Sequence, residues 1–109
     1  MAKHEFGIMD AAPTLEQKYN NYEPEKYHCI SVADDAIEPL MKEFSEIPCY
    51  WHSLKREESG LAYCGISIIP PHSLKKFLSI IDGKTQFNEL NDLLQKAFQE
   101  NKFVIHFGI

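Results

Sequence analysis

A chain of 109 residues that is 44 % hydrophobic, with seven Phe, five Tyr and one Trp, has enough apolar mass for one packed domain spanning 1–109. Its net charge of −5 disfavours direct nucleic-acid binding, because a negative surface repels phosphate. No apolar run reaches the length of a membrane span or a secretion signal, and three cysteines without disulfide or metal spacing point to a reducing cytoplasm.

Residues 1–26 lack sustained periodicity, are interrupted by Pro13 and Pro24, and carry turn chemistry at Asn20-Asn21. Their apolar content (Phe6, Ile8, Met9, Leu15, Tyr19, Tyr22) predicts an extended or partly helical arm packed back on the domain, with a helical turn at Thr14–Tyr19. Tyr27–Val32 (YHCISV) reads as the first strand. A helix carrying Ile37, Leu40, Met41, Phe44 and Ile47 follows, capped by Asp34 or Asp35, with Glu38 in capping-box spacing and Pro39 near the first turn. Pro48 ends it. Cys49–Leu54 and Leu61–Ile69 then form a hairpin around Lys55–Gly60. Pro70-Pro71 opens a helix with Leu74, Phe77, Leu78 and Ile81 on one face, stopped at Asp82-Gly83. Another helix runs from a Thr85 cap to about Glu100, with Phe87, Leu90, Leu93, Leu94, Ala97 and Phe98 inward, and Phe103–Phe107 is the last strand. The order matches the ferredoxin-like βαββααβ pattern. It predicts an α+β fold: a four-stranded, mainly antiparallel sheet with two to three helices on one face and the arm packed against the domain.

Chemistry-bearing residues are scattered. His4, His28, His52, His72 and His106 form no helical metal pair, and Cys49 and His52, three apart in a strand, point to opposite faces. No metal and no cofactor is expected. Cys64 falls among Ala62, Ile66 and Ile68 on an apolar strand face, where burial is the ordinary fate of a thiol. His106, between Ile105 and Phe107, reads as a satisfied sheet histidine. Nucleophile elbows, glycine-rich phosphate loops and the aromatic signature of RNA-binding sheets do not occur.

Charge is uneven. Residues 1–60 carry 12 acidic and 6 basic side chains, net −6, and residues 61–109 carry 4 and 5, net +1. The candidate partner-binding set is Tyr22, Glu23 and Glu25 around Pro24, Asp34, Asp35 and Glu38 at a helix start, and Trp51, Glu57 and Glu58 at the hairpin. Carboxylates steer a basic protein partner while Tyr and Trp anchor it. Gly7–Pro24 (GIMDAAPTLEQKYNNYEP), Ser31–Leu40 (SVADDAIEPL) and Gly60–Leu74 (GLAYCGISIIPPHSL) resemble small bacterial immunity proteins of toxin–immunity pairs, including those of contact-dependent inhibition. That resemblance implies an inhibitor that occludes the active site of a cationic toxin, often a nuclease, and transfers no site residues. Binding to a basic toxin domain is therefore the leading expectation, without nucleic acid or membrane as direct partner. The alternatives are a small enzyme using Cys29 or Cys64 with His28, His52 or His106, and a small-molecule-binding regulatory module.

Overall fold

The computed structural model describes residues 2–109. Its strands are β1 (Lys3–Met9), β2 (Ile30–Ala33), β3 (Pro48–Trp51), β4 (Glu57–Ser59), β5 (Ile66–Ile69) and β6 (Phe103–Phe107). They form one six-stranded sheet in the order β2-β1-β6-β5-β3-β4. Every pairing is antiparallel. The expected four-stranded, ferredoxin-like sheet is therefore corrected on both count and connectivity. The last strand inserts between β1 and β5, and among the described residues no parallel pair spans a helical crossover.

Two strands account for the difference. Lys3–Met9 belongs to the sheet rather than to an arm. It is covered on both faces, so apolar and polar side chains do not alternate along it as they do in a half-exposed strand. Glu57–Ser59 lies where a turn is expected. Its residues have little strand preference, and pairing with β3 makes them a strand: Pro48 opposes Ser59 and Tyr50 opposes Glu57.

One face of the sheet carries the helices. The segment after β2 is broken into α1 (Asp34–Ile37), a 3-10 turn at Glu38–Leu40 and α2 (Met41–Phe44). Pro39 lacks the N–H a continuous helix needs, so the segment tightens there. The expected side-chain cap is absent. Ala33 occupies the cap position, and the Asp34 carboxylate is used elsewhere. Helices α3 (Pro71–Ile81) and α4 (Asn88–Gln99) follow the predicted stripes, with Leu74, Phe77, Ile81, Leu90, Leu94 and Ala97 buried. Phe98, expected inward, is 42 % exposed. These faces meet Phe6, Val32, Ile69 and Val104 of the sheet in the larger core.

The opposite face is covered by the segment linking β1 to β2. Tyr19, Tyr27 and Cys29 pack on Met9, Ile66, Ile68, Ile105 and Phe107. The linker is held at His52, whose carbonyl accepts from the Tyr19 N–H at 2.7 Å and whose Nδ1 meets the Tyr19 carbonyl at 2.9 Å. The protein thus has three layers: helices, sheet and arm. Among the described residues no helix is long and apolar enough to cross a membrane.

Candidate functional site

Sheet register assembles a buried polar line on the helix-bearing face. His106 of β6 lies opposite Phe6 of β1 and Ser67 of β5. His4, two residues before Phe6, is therefore its diagonal neighbour on the same face. The His4 Nδ1 and His106 Nε2 atoms are 2.9 Å apart, with the rings stacked at 15°. Because α1 starts directly after β2, Asp34 arrives beside His4, its Oδ1 2.8 Å from Nε2. The Tyr63 hydroxyl donates to the other carboxylate oxygen at 2.7 Å. At the far end Ser67 Oγ sits 2.9 Å from His106 Nδ1 and accepts the Ala62 N–H at 2.7 Å.

Proton positions follow from the partners. The Asp34 carboxylate requires a proton on His4 Nε2, which leaves Nδ1 of a neutral ring bare. Nε2–H of His106 then donates to it, and the bare Nδ1 of His106 accepts the Ser67 hydroxyl. Every group in the line then has a partner, and no buried side-chain N or O among the described residues lacks one. Burial holds the His106 pKa well below its ordinary 6.5, with repulsion from His4 second. Hydrogen bonds from Tyr63 and then His4 keep Asp34 below its ordinary value.

The order serine, histidine, histidine, aspartate is that of a nucleophile relay, but Ser67 has no exposed surface. A substrate cannot reach its Oγ. The line instead ties β1, β5, β6, α1 and the Ala62–Tyr63 loop together. Only His106 had a legible place in it, as a satisfied sheet histidine. His4, Ser67 and Tyr63 lie 39 or more residues from His106, in segments that no local pattern connects to it.

This line makes stability pH-dependent. Unfolding returns His106 to an ordinary pKa near 6.5, so below that value the unfolded chain binds the extra proton. The contribution is complete above about pH 6.5 and falls by about 1.4 kcal/mol per pH unit while His106 titrates alone. Asp34, depressed from 3.8, adds a loss of the same sign as pH falls below that value toward its folded pKa. Urea midpoints measured from about pH 7 to about pH 5 are expected to decline, and His106→Gln is expected to flatten the decline. A slope indifferent to that substitution would assign the effect to other groups.

A buried acid lies on the arm side. Glu5 of β1 is 7 % exposed and accepts the Tyr22 hydroxyl. That hydrogen bond pushes the Tyr22 phenol up to about 12. The Tyr22 ring meets Phe107 edge-on at 5.4 Å, yet 61 % of the residue remains exposed.

The partner-binding candidates fall into two groups. Tyr22, Glu23 and Glu25 precede β2, while Asp34, Asp35 and Glu38 follow it, so they flank a strand about 13 Å long. Trp51 of β3 and Glu57 and Glu58 of β4 lie toward the other sheet edge, four and five strand spacings or about 19 and 24 Å away. Trp51 donates its indole N–H to the Gly60 carbonyl at 2.9 Å, under the Arg56 guanidinium, and Glu58 pairs with Arg56 at 3.2 Å. Asp34 belongs to the hydrogen-bonded line, so four exposed carboxylates, Glu23, Glu25, Asp35 and Glu38, stand with Tyr22 before and after β2.

The thiols differ from expectation. Cys64 is exposed, because residues 62–65 form a turn and β5 begins only at Ile66. Burial pushes the Cys29 and Cys49 thiols up to about 12, Glu5 adding to the effect at Cys29. Alkylation of the native protein near neutral pH is expected to modify Cys64 first, Cys29 slowly and Cys49 only on unfolding. Rapid modification of Cys29 would revive a thiolate mechanism at that position. Cys49 faces the helix-side core while His52 caps the end of β3 against the arm, so they form no common site. No family model matches the chain, and no curated protein or solved structure matches it either.

Proposed function

We propose that the chain is an acidic protein-binding inhibitor, an immunity protein that neutralises a basic cognate toxin domain, of nuclease type, by masking its active site. The observation that carries this reading is the segment from Asp34 to Glu46, which holds five carboxylates against Lys42 alone. Asp35, Glu38, Glu43 and Glu46 are all exposed, and none takes part in an ion pair among the described residues. Unpaired carboxylates on a surface built around a rigid buried line attract a cationic protein, speed its encounter and orient it.

The test is neutralisation. The polypeptide encoded immediately upstream of this chain, produced alone and together with it, is expected to arrest growth alone and to be relieved in a stable complex. Absence of both relief and complex overturns the proposal. Within such a complex, Asp35→Lys combined with Glu38→Lys is expected to slow association about tenfold at low salt and to weaken its salt dependence. Asp34 is left intact in that variant because it holds His4 and Tyr63.

A further inference from the structure

The two edges of the sheet differ. β4 is short and carries charge along its length, with Glu57, Glu58 and the adjoining Arg56, features that discourage strand addition. β2 presents Ser31 and Ala33, both exposed and uncharged, with no proline or lysine within it. The phase of its hydrogen bonding follows from one contact: the Asp34 N–H donates to the Ala2 carbonyl at 3.1 Å. With Val32 opposite His4 and Ile30 opposite Phe6, the even-numbered residues bond to β1. The Ser31 N–H and C=O and the Ala33 N–H therefore point out of the sheet.

A hollow lies on each face of this edge. On the helix side one of about 520 Å³ has Ile8, Ile30 and Leu93 as its apolar floor and Glu89, Asp92 and Lys96 of α4 along its rim. Neither Glu89 nor Asp92 is in an ion pair among the described residues. On the arm side one of about 530 Å³ is bounded by Lys3, Glu5, Tyr22, Glu25 and Cys29. His28 borders both. A strand added beside β2 sends successive side chains to alternate faces, one set into each hollow.

We propose that the open edge of β2 receives an extended, basic and apolar segment of the protein partner as a seventh strand. This rests on the partner-binding reading above and gives it an address. Main-chain bonds to Ser31 and Ala33 hold the segment. Apolar side chains seat on Ile30 and Leu93 in the helix-side hollow, and the cationic ones alternating with them face Glu25 in the other, while Glu89 and Asp92 add to the field that draws the segment in. The exposed carboxylates at both ends of β2 supply the field that draws it in.

The probe is an acetylated, amidated peptide of alternating Lys and Val, titrated into the isotope-labelled protein. Amide shifts and slowed hydrogen exchange are expected at Ser31 and Ala33. Ala33 has φ −59°, which proline adopts without strain, and its N–H bonds to nothing in β1. Ala33→Pro is thus expected to fold and to weaken probe binding at least tenfold. A probe N-methylated on alternate residues, used with the unaltered protein, is expected to fail likewise, and Glu89→Lys with Asp92→Lys to weaken it further. Binding indifferent to both Ala33→Pro and N-methylation, or no binding at millimolar probe, overturns the proposal. If the Ala33→Pro protein still binds and neutralises the upstream product unchanged, the edge is wrong and the inhibitor reading stands. An edge that takes the probe in a chain that neutralises nothing overturns the inhibitor reading alone.

Discussion

Replacing His106 with alanine is expected to destabilise the protein by about 3–5 kcal/mol, a large share of the 5–15 kcal/mol typical of a domain. Two effects add. The ring is fully buried between Phe6, His4 and Ser67, so its removal leaves a cavity bounded by a sheet that cannot collapse freely. The Ser67 hydroxyl, which keeps the Ala62 N–H, loses its acceptor and the His4 Nδ1 loses its only partner, and a buried polar group left unsatisfied costs about 1–3 kcal/mol. His106→Phe separates the two, since it refills the volume and leaves only the polar loss of about 1–3 kcal/mol. Urea unfolding measures both. A loss below about 1 kcal/mol for the alanine variant would mean that the line from Ser67 to Asp34 contributes little to the fold.

Gly7→Val tests the arm layer. Gly7 lies in β1, which has β2 on one side and β6 on the other and has no freedom to shift. A Cβ there would stand 2.7 Å from both the Cβ and the carbonyl oxygen of Tyr27, and 2.8 Å from the Cys29 sulfur. The arm must lift. The expected destabilisation is about 1–3 kcal/mol, the usual range for overpacking. Cys29 alkylation is expected to accelerate, because its thiol pKa of about 12 depends first on burial. Gly7→Ala is expected to act in the same direction with a smaller effect. Unchanged Cys29 reactivity in the valine variant would show that the segment accommodates the side chain without leaving the sheet.

These two positions show what was legible and what was not. The α3 and α4 stripes and the bounds of β6 follow from local spacing, since a helix buries every third or fourth residue and a β-rich run between turn signals reads as a strand. β1 was not legible because both its faces are covered, one by helices and one by the arm, so His4 and Glu5 interrupt an otherwise apolar run. β4 was not legible because only its pairing with β3 makes it a strand. Cys64 was misplaced for a related reason. The apolar run Leu61–Ile69 looks continuous, yet the chain turns within it so that Tyr63 reaches Asp34 and the C-terminal Gly108 and Ile109 bond to Gly65 and Tyr63.

The candidate binding surface divides the same way. Composition alone placed the negative charge in the first half of the chain, because charge is a property of residues and not of their arrangement. Only the fold separated Trp51, Glu57 and Glu58 from the carboxylates beside β2, by putting β3 and β4 toward the opposite edge. Only the fold tied Asp34 to the buried histidines, by bringing His4 to it across a separation of 30 residues. Amphipathic periods and net charge are local or additive quantities and survive in a linear sequence. Strand order, an open edge and a buried hydrogen-bond line depend on contacts between distant segments, and those exist only once the sheet has closed around them.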